Sequence, residues 1–459
     1  MTPLTRRSFL AGSAAAVASP AFGAPFPSGE IETIVIGAGA AGVGAARRLI
    51  AAGRRVAIVE ATNRVGGRCV TDTKIFGVPF DLGAHWIHSP DVNPLTKLAG
   101  RTGLEIYPAP PGQRVRIGKR NAREGELEDF LDATVRSNRA IGEAAQKGDI
   151  DCARALPRNL GDWRPVVEFV LGPYGVGKDL SEVSAVDFSK QMGRDTFAFC
   201  RQGYGALLAK LAEAIPVQLS SPVSKIDTYG RARVEVLTSR GVLTCRYVIV
   251  TCSTDLLAAG KIKFEPELPK RQIDAAARLK LGSHDHVALE LAGNPFNLQR
   301  DDLVFEKAGG KRTAALLANV SGTPLAMVDV AGGLGRELSA KGDMVMVDFA
   351  VEWLANLYGA DIRKAVRRSH ATRWNNEPWA LGAVASAAPG SQGSRRILME
   401  PFRDRVFLAG EALHETQWGT VGGAWESGER AAEGVLRRLG LFRDPEPPKR
   451  EAPARPRRG

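Results

Sequence analysis

The 459-residue chain is poor in several residue types, and each shortage argues against a class of protein. Its five cysteines are an odd number without C-x-x-C spacing, so we expect neither a disulfide framework nor a cysteine-based metal site. The six histidines are scattered apart from two close pairs, and we predict no metal centre. Internal repeats are absent as well. The cysteines are Cys69, Cys152, Cys200, Cys245 and Cys252.

Long apolar runs are also missing, and the charge is unevenly placed. No run approaches the ~20 apolar residues that a membrane-spanning helix needs. The net charge of +12 points to nucleic acid at first sight. Many basic residues, however, lie in the leader and in residues 442–459, which we predict to be a disordered basic tail. Because no patch of basic and aromatic residues interrupts the body, we expect no nucleic-acid partner.

The first residues carry an export signature. Residues 5–10, Thr-Arg-Arg-Ser-Phe-Leu, form a twin-arginine pattern, and a short, mildly apolar run follows. Small residues at 21–23 offer a cleavage site, with 19–21 as a competing one. We predict a twin-arginine signal peptide over residues 1–23 and a periplasmic or secreted protein. The alternative is a disordered N-terminus with a chance arginine pair.

A glycine-rich turn after the leader indicates a dinucleotide site. Residues 34–36 are β-branched and predict a buried strand, and Gly37, Gly39 and Gly42 then give the spacing G-x-G-x-x-G. The first glycine allows a tight turn, the second lets a pyrophosphate approach the backbone, and the third lets helix and strand pack closely. Helical residues from about Ala41 onward would offer free N–H groups to the phosphates.

An acid completes this unit. A second apolar strand at 56–59 ends on Glu60, whose carboxylate can accept hydrogen bonds from ribose hydroxyls. Because strand, helix, second strand and acid stand in register, dinucleotide binding is favoured over a purely structural βαβ turn.

Three further motifs carry a family resemblance. They are Arg-Val-Gly-Gly-Arg ending at Arg68, Asp-Leu-Gly-Ala-His-Trp-Ile-His ending at His88, and a strand ending on Glu411 before a helix that opens near Thr420. With the glycine turn, they resemble the flavin amine oxidases, which include monoamine oxidases, polyamine oxidases, L-amino-acid oxidases and lysine-specific histone demethylases. The Trp-Ile-His version is most similar to polyamine oxidases.

The resemblance implies FAD as the cofactor and an α/β fold. We expect a Rossmann-like FAD-binding domain of the three-layer ββα type, built from residues 30–105, 203–265 and 402–441. A mixed α+β substrate-binding domain, residues 106–202 and 266–401, is inserted into it discontinuously.

Further FAD contacts are implied residue by residue. For Val223 the alternative is a simple core strand residue. Besides the glycine turn and Glu60, the implied contacts are Arg68, Gly83, Ala84, Val223, Gly410, Glu411, Thr420 and Val421.

Two histidines are the catalytic candidates that the resemblance implies. Most family members place a Lys, bonded through water to the flavin N5, where this chain has His286; Lys280 falls six residues short of that position. A neutral imidazole can hold a water or act as a base near neutral pH. His88 stands where polyamine oxidases put a substrate-contacting His or acid. A packed structural histidine is the alternative at both positions.

The aromatic pair that frames the amine in many members is missing. The aligned positions hold Ser386 and Thr420, and the neighbouring rings are Trp418 and Trp425, of which we expect Trp425 in the core.

We predict oxidation of a small amine, polyamines included, to an imine by hydride transfer to FAD, with O₂ or a respiratory acceptor as oxidant. The alternatives are a flavin oxidoreductase acting on a non-amine, such as a desaturase, and a non-catalytic FAD-holding binding protein.

Overall fold

The computed structural model describes residue 26 and residues 29–191, 196–230 and 232–442. The predicted signal at 1–23 and nearly all of the predicted tail at 442–459 lie outside the described residues, so both stay predictions.

The strands occur singly and in runs between the helices. In chain order they are β1 (Thr33–Ile36), β2 (Val56–Val59), β3 (Thr71–Asp72), β4 (Phe80–Asp81), β5 (Ile87–His88), β6 (Ile106–Pro108), β7 (Arg114–Ile117), β8 (Arg120–Asn121), β9 (Phe197–Cys200), β10 (Val217–Gln218), β11 (Val223–Asp227), β12 (Val234–Thr238), β13 (Gly241–Cys245), β14 (Tyr247–Val250), β15 (Lys263–Glu265), β16 (His284–Leu291), β17 (Asp302–Glu306), β18 (Ala315–Ala318), β19 (Leu325–Ala331), β20 (Val366–Ala371) and β21 (Val406–Leu408).

The α-helices range from one turn to 24 residues. They are α1 (Ala40–Ala51), α2 (Pro94–Ala99), α3 (Glu124–Lys147), α4 (Cys152–Ala155), α5 (Arg164–Phe169), α6 (Ala185–Ser189), α7 (Tyr204–Ala212), α8 (Thr254–Ala258), α9 (Lys270–Arg278), α10 (Gly332–Lys341), α11 (Asp343–Tyr358), α12 (Ile362–Ala365), α13 (Ser394–Met399) and α14 (Val421–Arg438).

A five-stranded parallel sheet carries the glycine-rich turn. Its strand order is β10-β2-β1-β14-β21, and every neighbouring pair is parallel. All residues of β1, β2, β14 and β21 are buried, as expected for apolar runs covered on both faces. Because parallel neighbours need long crossover connections, these strands come from widely separated parts of the chain.

Helices α1 and α14 cover this sheet and pack against each other with glycine at the crossing. A Cβ on Gly428 would lie 1.9 Å from the Ala41 carbonyl oxygen, and one on Gly44 would lie 2.9 Å from the Trp425 carbonyl oxygen. Trp425 is buried and belongs to the same core as α1 and the parallel sheet. Helices far apart in sequence therefore form one layer, and Trp425 lies in the core as expected.

A seven-stranded sheet forms the second large layer. Its order is β20-β16-β19-β18-β17-β7-β8, and every pair is antiparallel except β17 with β7. It has its own apolar core, shared with α10 and α11. The mixed α/β class expected from the sequence is confirmed. Within the described ranges, no helix combines the length and the apolar character needed to cross a bilayer.

Candidate active site

The turn between β1 and α1 opens onto a large cavity. Gly37 has a φ of +103°, and a Cβ there would lie 2.4 Å from the Thr251 hydroxyl. A Cβ on Gly42 would lie 1.9 Å from the Gly37 carbonyl oxygen, so this third glycine lets α1 sit directly against the turn. Gly39 is the N-cap residue of α1, and no side chain accepts a hydrogen bond from the first N–H groups of the helix. The start of α1 therefore keeps donors for a ligand.

Glu60 is buried at the end of β2 and faces the same cavity. One carboxylate oxygen accepts from the Ala38 N–H at 2.7 Å, and the other accepts from the N–H and hydroxyl of Thr62 at 2.8 and 2.9 Å. These bonds fix the carboxylate beside the glycine turn. A carboxylate oxygen has more than one lone pair, so Glu60 can also accept from hydroxyls in the cavity.

Arg68 and Glu411 join two motifs that are distant in sequence. Arg68 Nη1 donates to Glu411 Oε1 at 3.0 Å. The other oxygen, Glu411 Oε2, accepts from the Gly419 N–H at 2.9 Å. The ion pair is partly exposed on the arginine side, so the guanidinium keeps donors for an anion in the cavity.

The second helix start at the cavity belongs to α14. Thr420 is its N-cap: the side-chain oxygen accepts from the Gly423 N–H at 2.9 Å. Val421 and Gly419 line the cavity beside it. The positive end of the α14 dipole therefore meets the cavity wall, where it favours negative charge on a bound group.

All of these features border one continuous cavity of about 1340 Å³. That exceeds the ~300–1,000 Å³ of an ordinary small-molecule pocket. Val223 is a buried residue of β11 and lines the cavity as well. Gly42 is the one predicted cofactor residue that does not line it. The predicted residues that do are Gly37, Gly39, Ala41, Glu60, Arg68, Gly83, Ala84, Val223, Gly410, Glu411, Thr420, Val421, His88 and His286.

His286 lies on β16, buried, with both ring nitrogens bonded to acceptors. Nδ1 contacts a carboxylate oxygen of Asp329, and Nε2 lies 2.7 Å from the Gly83 carbonyl oxygen. Since neither partner can donate, both ring nitrogens must carry hydrogen. The expectation of a neutral imidazole free to accept a proton therefore does not match this arrangement, which requires an imidazolium.

The charges around His286 agree with this assignment. Burial on its own would lower the pKa of His286, but the Asp329 carboxylate and the bond to Gly83 raise it above its ordinary value. Burial likewise opposes ionisation of Asp329, but the neighbouring imidazoles hold the pKa of that carboxyl well below its usual range. His284 Nε2 lies 3.8 Å from Asp329, so one buried carboxylate serves two histidines.

His88 and His85 have different surroundings. His88 lies on β5, lines the cavity and packs edge-on against Phe197, with ring centroids 5.2 Å apart. His85 Nδ1 bonds to Asp81 at 2.8 Å, and its ring stacks on Phe199 at 4.7 Å. Both histidines line the cavity, and the bond to Asp81 fixes the orientation of the His85 ring.

The positions aligned with the missing aromatic pair do not supply rings. Ser386 is fully buried, and its carbonyl accepts from Lys178 Nζ at 2.9 Å. Trp418 and Trp425 are fully buried, and neither lines the cavity. The rings that do line it come from other segments: Trp86, Phe130, Tyr174, Phe188, Phe197, Phe305, Trp374 and Trp379.

Sequence reasoning missed His284, Asp329 and Tyr174. The His-x-His spacing was a usable signal, because residues two apart on a strand share a face. Asp329 pairs with His286 across β16 and β19, a register that no local pattern reveals. Tyr174 ends a π-helical turn at Val170–Tyr174, a local feature that is frequent at functional sites.

Comparison with known proteins agrees with these observations. Residues 40–436 match the model of the family described as flavin containing amine oxidoreductase. The chain is 27% identical to polyamine oxidase 3 of Oryza sativa subsp. japonica, covering 90% of each protein. It is also 27% identical to Lysine-specific histone demethylase 1 homolog 3 of Arabidopsis thaliana, over 89% of this chain but 30% of that protein. The chain spans 30–60% of the demethylases that it matches first.

Solved structures show the same fold. Cyclohexylamine oxidase from Brevibacterium oxydans IH-35A superposes with a TM-score of 0.73 at 23% identity, covering 90% of this chain and 100% of that one. A redesigned putrescine oxidase gives a TM-score of 0.76 at 17% identity, covering 89% and 99%. The chain therefore belongs to the flavin-containing amine oxidoreductases, and FAD is its cofactor.

Proposed function

We propose that the protein oxidises a small amine to an imine with FAD bound in a Rossmann-like domain around the parallel sheet. The observation that carries this proposal is the continuity of the cavity. The same space borders the dinucleotide motifs at Gly37 and Glu60 and the histidine-bearing wall at His286 and His88. A structural nucleotide site would not need that second wall. Relatives named polyamine oxidase and structures named amine oxidase support an amine substrate.

The residues fit FAD on chemical grounds. Two helix starts that open onto the cavity, the guanidinium of Arg68 and the carboxylate of Glu60 match a pyrophosphate and a ribose. When bound, FAD would supply the two-electron oxidant for a carbon–hydrogen bond next to nitrogen.

In the proposed reaction the carbon–hydrogen bond of the amine breaks, and bound FAD would accept the hydrogen with its electron pair. A C=N bond forms as the nitrogen loses a proton, which passes to solvent through the cavity histidines, and water then hydrolyses the imine to a carbonyl compound and an amine or ammonia. O₂, reduced to hydrogen peroxide, or a respiratory acceptor would restore the oxidised cofactor.

His286 acts in this scheme as a fixed charge rather than as a base. Its imidazolium donates to the backbone of Gly83, in the loop whose residues Gly83 and Ala84 we assign to the cofactor. A cation there favours negative charge on that side of the cavity. His88 and His284 line the cavity and are the histidines that we assign to proton handling.

Anaerobic mixing of the FAD-loaded protein with a panel of amines tests the proposal. Amines should bleach the visible absorption of the flavin, while alcohols and hydroxy acids of equal size should not. Bleaching by non-amines alone would favour the desaturase-like alternative. If no compound bleaches the flavin, the result would favour the non-catalytic FAD-holding binding protein.

We also propose export by the twin-arginine route, from the pattern at residues 5–10. The full chain should accumulate with FAD in the periplasmic fraction of a bacterial host. The double substitution Arg6→Lys and Arg7→Lys should retain it in the cytoplasm. An unchanged distribution would refute export by this route.

A further inference from the structure

The substrate half of the cavity is marked by a line of ring contacts that begins at the cofactor loop. His286 contacts Gly83 and lies 5.7 Å, centroid to centroid, from His284. His284 lies 5.9 Å from Tyr174, and Tyr174 lies 5.1 Å edge-on from Phe305. All four rings line the cavity. A substrate next to the redox end of FAD would therefore extend along an aromatic wall.

Helix α3 also borders the cavity. It presents Phe130, Thr134, Asn138 and Gly142, successive residues four apart on one face. None of them carries a charge.

Carboxylates are scarce around this part of the cavity. Among the described residues, the acids that line the whole cavity are Glu60, Asp91, Asp301, Glu377 and Glu411. Glu60 and Glu411 stand in the cofactor motifs, and Glu377 lies near Arg64 in the same region.

The two remaining acids offer little to a buried cation. Asp301 is buried, and its oxygens accept from the Tyr107 hydroxyl at 2.9 Å and the Ser321 N–H at 2.6 Å. Asp91 is exposed, in the loop after β5. The titratable groups on the wall nearest the cofactor loop are histidines, one of them cationic.

The tyrosine adds no charge either. Burial raises the pKa of Tyr174 well above its ordinary value, so its hydroxyl stays protonated. The ring is therefore a neutral surface for an apolar group.

We infer, building on the proposed amine oxidation, that the substrate is a monoamine with an apolar alkyl or aryl body seated against Tyr174 and Phe305, and not a polyamine. An alkylammonium has a pKa near ~10.4 and is charged at neutral pH. A diamine would bring its second ammonium into a part of the cavity without a free carboxylate, and burying an unpaired charge is strongly unfavourable. The apolar end of a monoamine, by contrast, binds favourably in the same surroundings because its burial removes apolar surface from water.

A matched pair of substrates tests this inference on the FAD-loaded full chain. Hexylamine and pentane-1,5-diamine have the same length and differ by a methyl or an ammonium at the far end. In anaerobic stopped-flow reduction, hexylamine should be favoured by about a thousandfold in kred/Kd, because neutralising the far ammonium at about pH 7.5 costs roughly three pKa units. Spermidine should be poorer still.

The outcomes separate this inference from the proposed function. Equal or faster reduction by the diamine would overturn the monoamine assignment while leaving amine oxidation intact. Reduction by neither compound, nor by any other amine, would overturn the proposed function itself.

Substitutions at Tyr174 test the aromatic wall. Tyr174→Phe keeps the ring and should keep the preference. Tyr174→Ala should lower kred/Kd for hexylamine by roughly tenfold, the scale of a lost aromatic contact. It should change kred/Kd for the diamine little. The flavin content of each purified variant reports folding independently of turnover. An unchanged preference in well-folded Tyr174→Ala would remove this residue from the substrate site.

Discussion

The buried pair of His286 and Asp329 gives the sharpest prediction. Replacing Asp329 with Asn keeps the shape but removes the charge that holds the imidazolium. We expect His286 to lose a proton, the Asn amide to donate to Nδ1, and the Nε2–H bond to Gly83 to remain. The substitution should then lower the free energy of unfolding by about 1–1.5 kcal/mol, the difference between a charge-assisted and a neutral hydrogen bond. An imidazolium left unpaired would instead cost about 3–5 kcal/mol.

The sign of the pH dependence follows from the two pKa shifts. The pKa of His286 is raised in the folded state, so its contribution is fully present below the ordinary value of 6.5 and is lost as pH rises through the folded pKa. The pKa of Asp329 is lowered, so its contribution is present above the ordinary value of 3.8 and is lost as pH falls through the folded pKa. The difference in unfolding free energy between wild type and Asp329→Asn should be largest between pH 3.8 and pH 6.5 and should shrink at alkaline pH.

Urea unfolding of the FAD-loaded proteins at about pH 6 and about pH 9 measures this difference through the midpoint and the slope. The control is the same substitution in a His286→Gln background, where its cost should not vary over this pH range. A loss of unfolding free energy at about pH 6 that is no larger in the wild-type background than in the His286→Gln background would refute the imidazolium assignment.

Three further outcomes are expected. Gly42→Ala should abolish FAD retention, measured by the ratio of visible to ultraviolet absorbance, because the Cβ would lie 1.9 Å from the Gly37 carbonyl oxygen; retained FAD would contradict this packing role. Burial lowers the pKa of Lys178 to about 8 from its ordinary value of 10.5, so wild-type stability should rise with pH over that interval, and Lys178→Met should flatten the rise in urea titrations. Thr420→Val should cost about 1 kcal/mol of unfolding free energy by removing the cap on Gly423, whereas Thr420→Ser should cost little.

The cofactor half could be predicted because its signals are local. A strand, a glycine turn and a helix are contiguous in sequence, so the placement of Gly37 and Glu60 at one cavity follows from a short stretch. Arg68 and Glu411 required the family resemblance, because nothing in their own neighbourhoods indicates that they meet. Membership of the family is confirmed.

The catalytic half could not be predicted, because it depends on distant pairings. The charge state of His286 is set by Asp329, which lies opposite it only through the register of two antiparallel strands. The aromatic wall is likewise assembled from Tyr174 on a π-helical turn and Phe305 on β17. The monoamine preference rests on the absence of free carboxylates among the described residues around that wall, which only a three-dimensional arrangement can show.

Because α1 and α14 pack against each other through glycines, this part of the fold can form only after both helices have been synthesised. Gly44 emerges from the ribosome early, but Gly428 follows roughly 380 residues later, about 20–80 s at ordinary elongation rates. During that interval the apolar face of α1 lacks the partner that completes its layer, so the nascent chain carries an exposed surface that chaperones can hold. The cofactor cradle can close only after nearly the whole described chain has been made, and FAD uptake must therefore be a late event in folding.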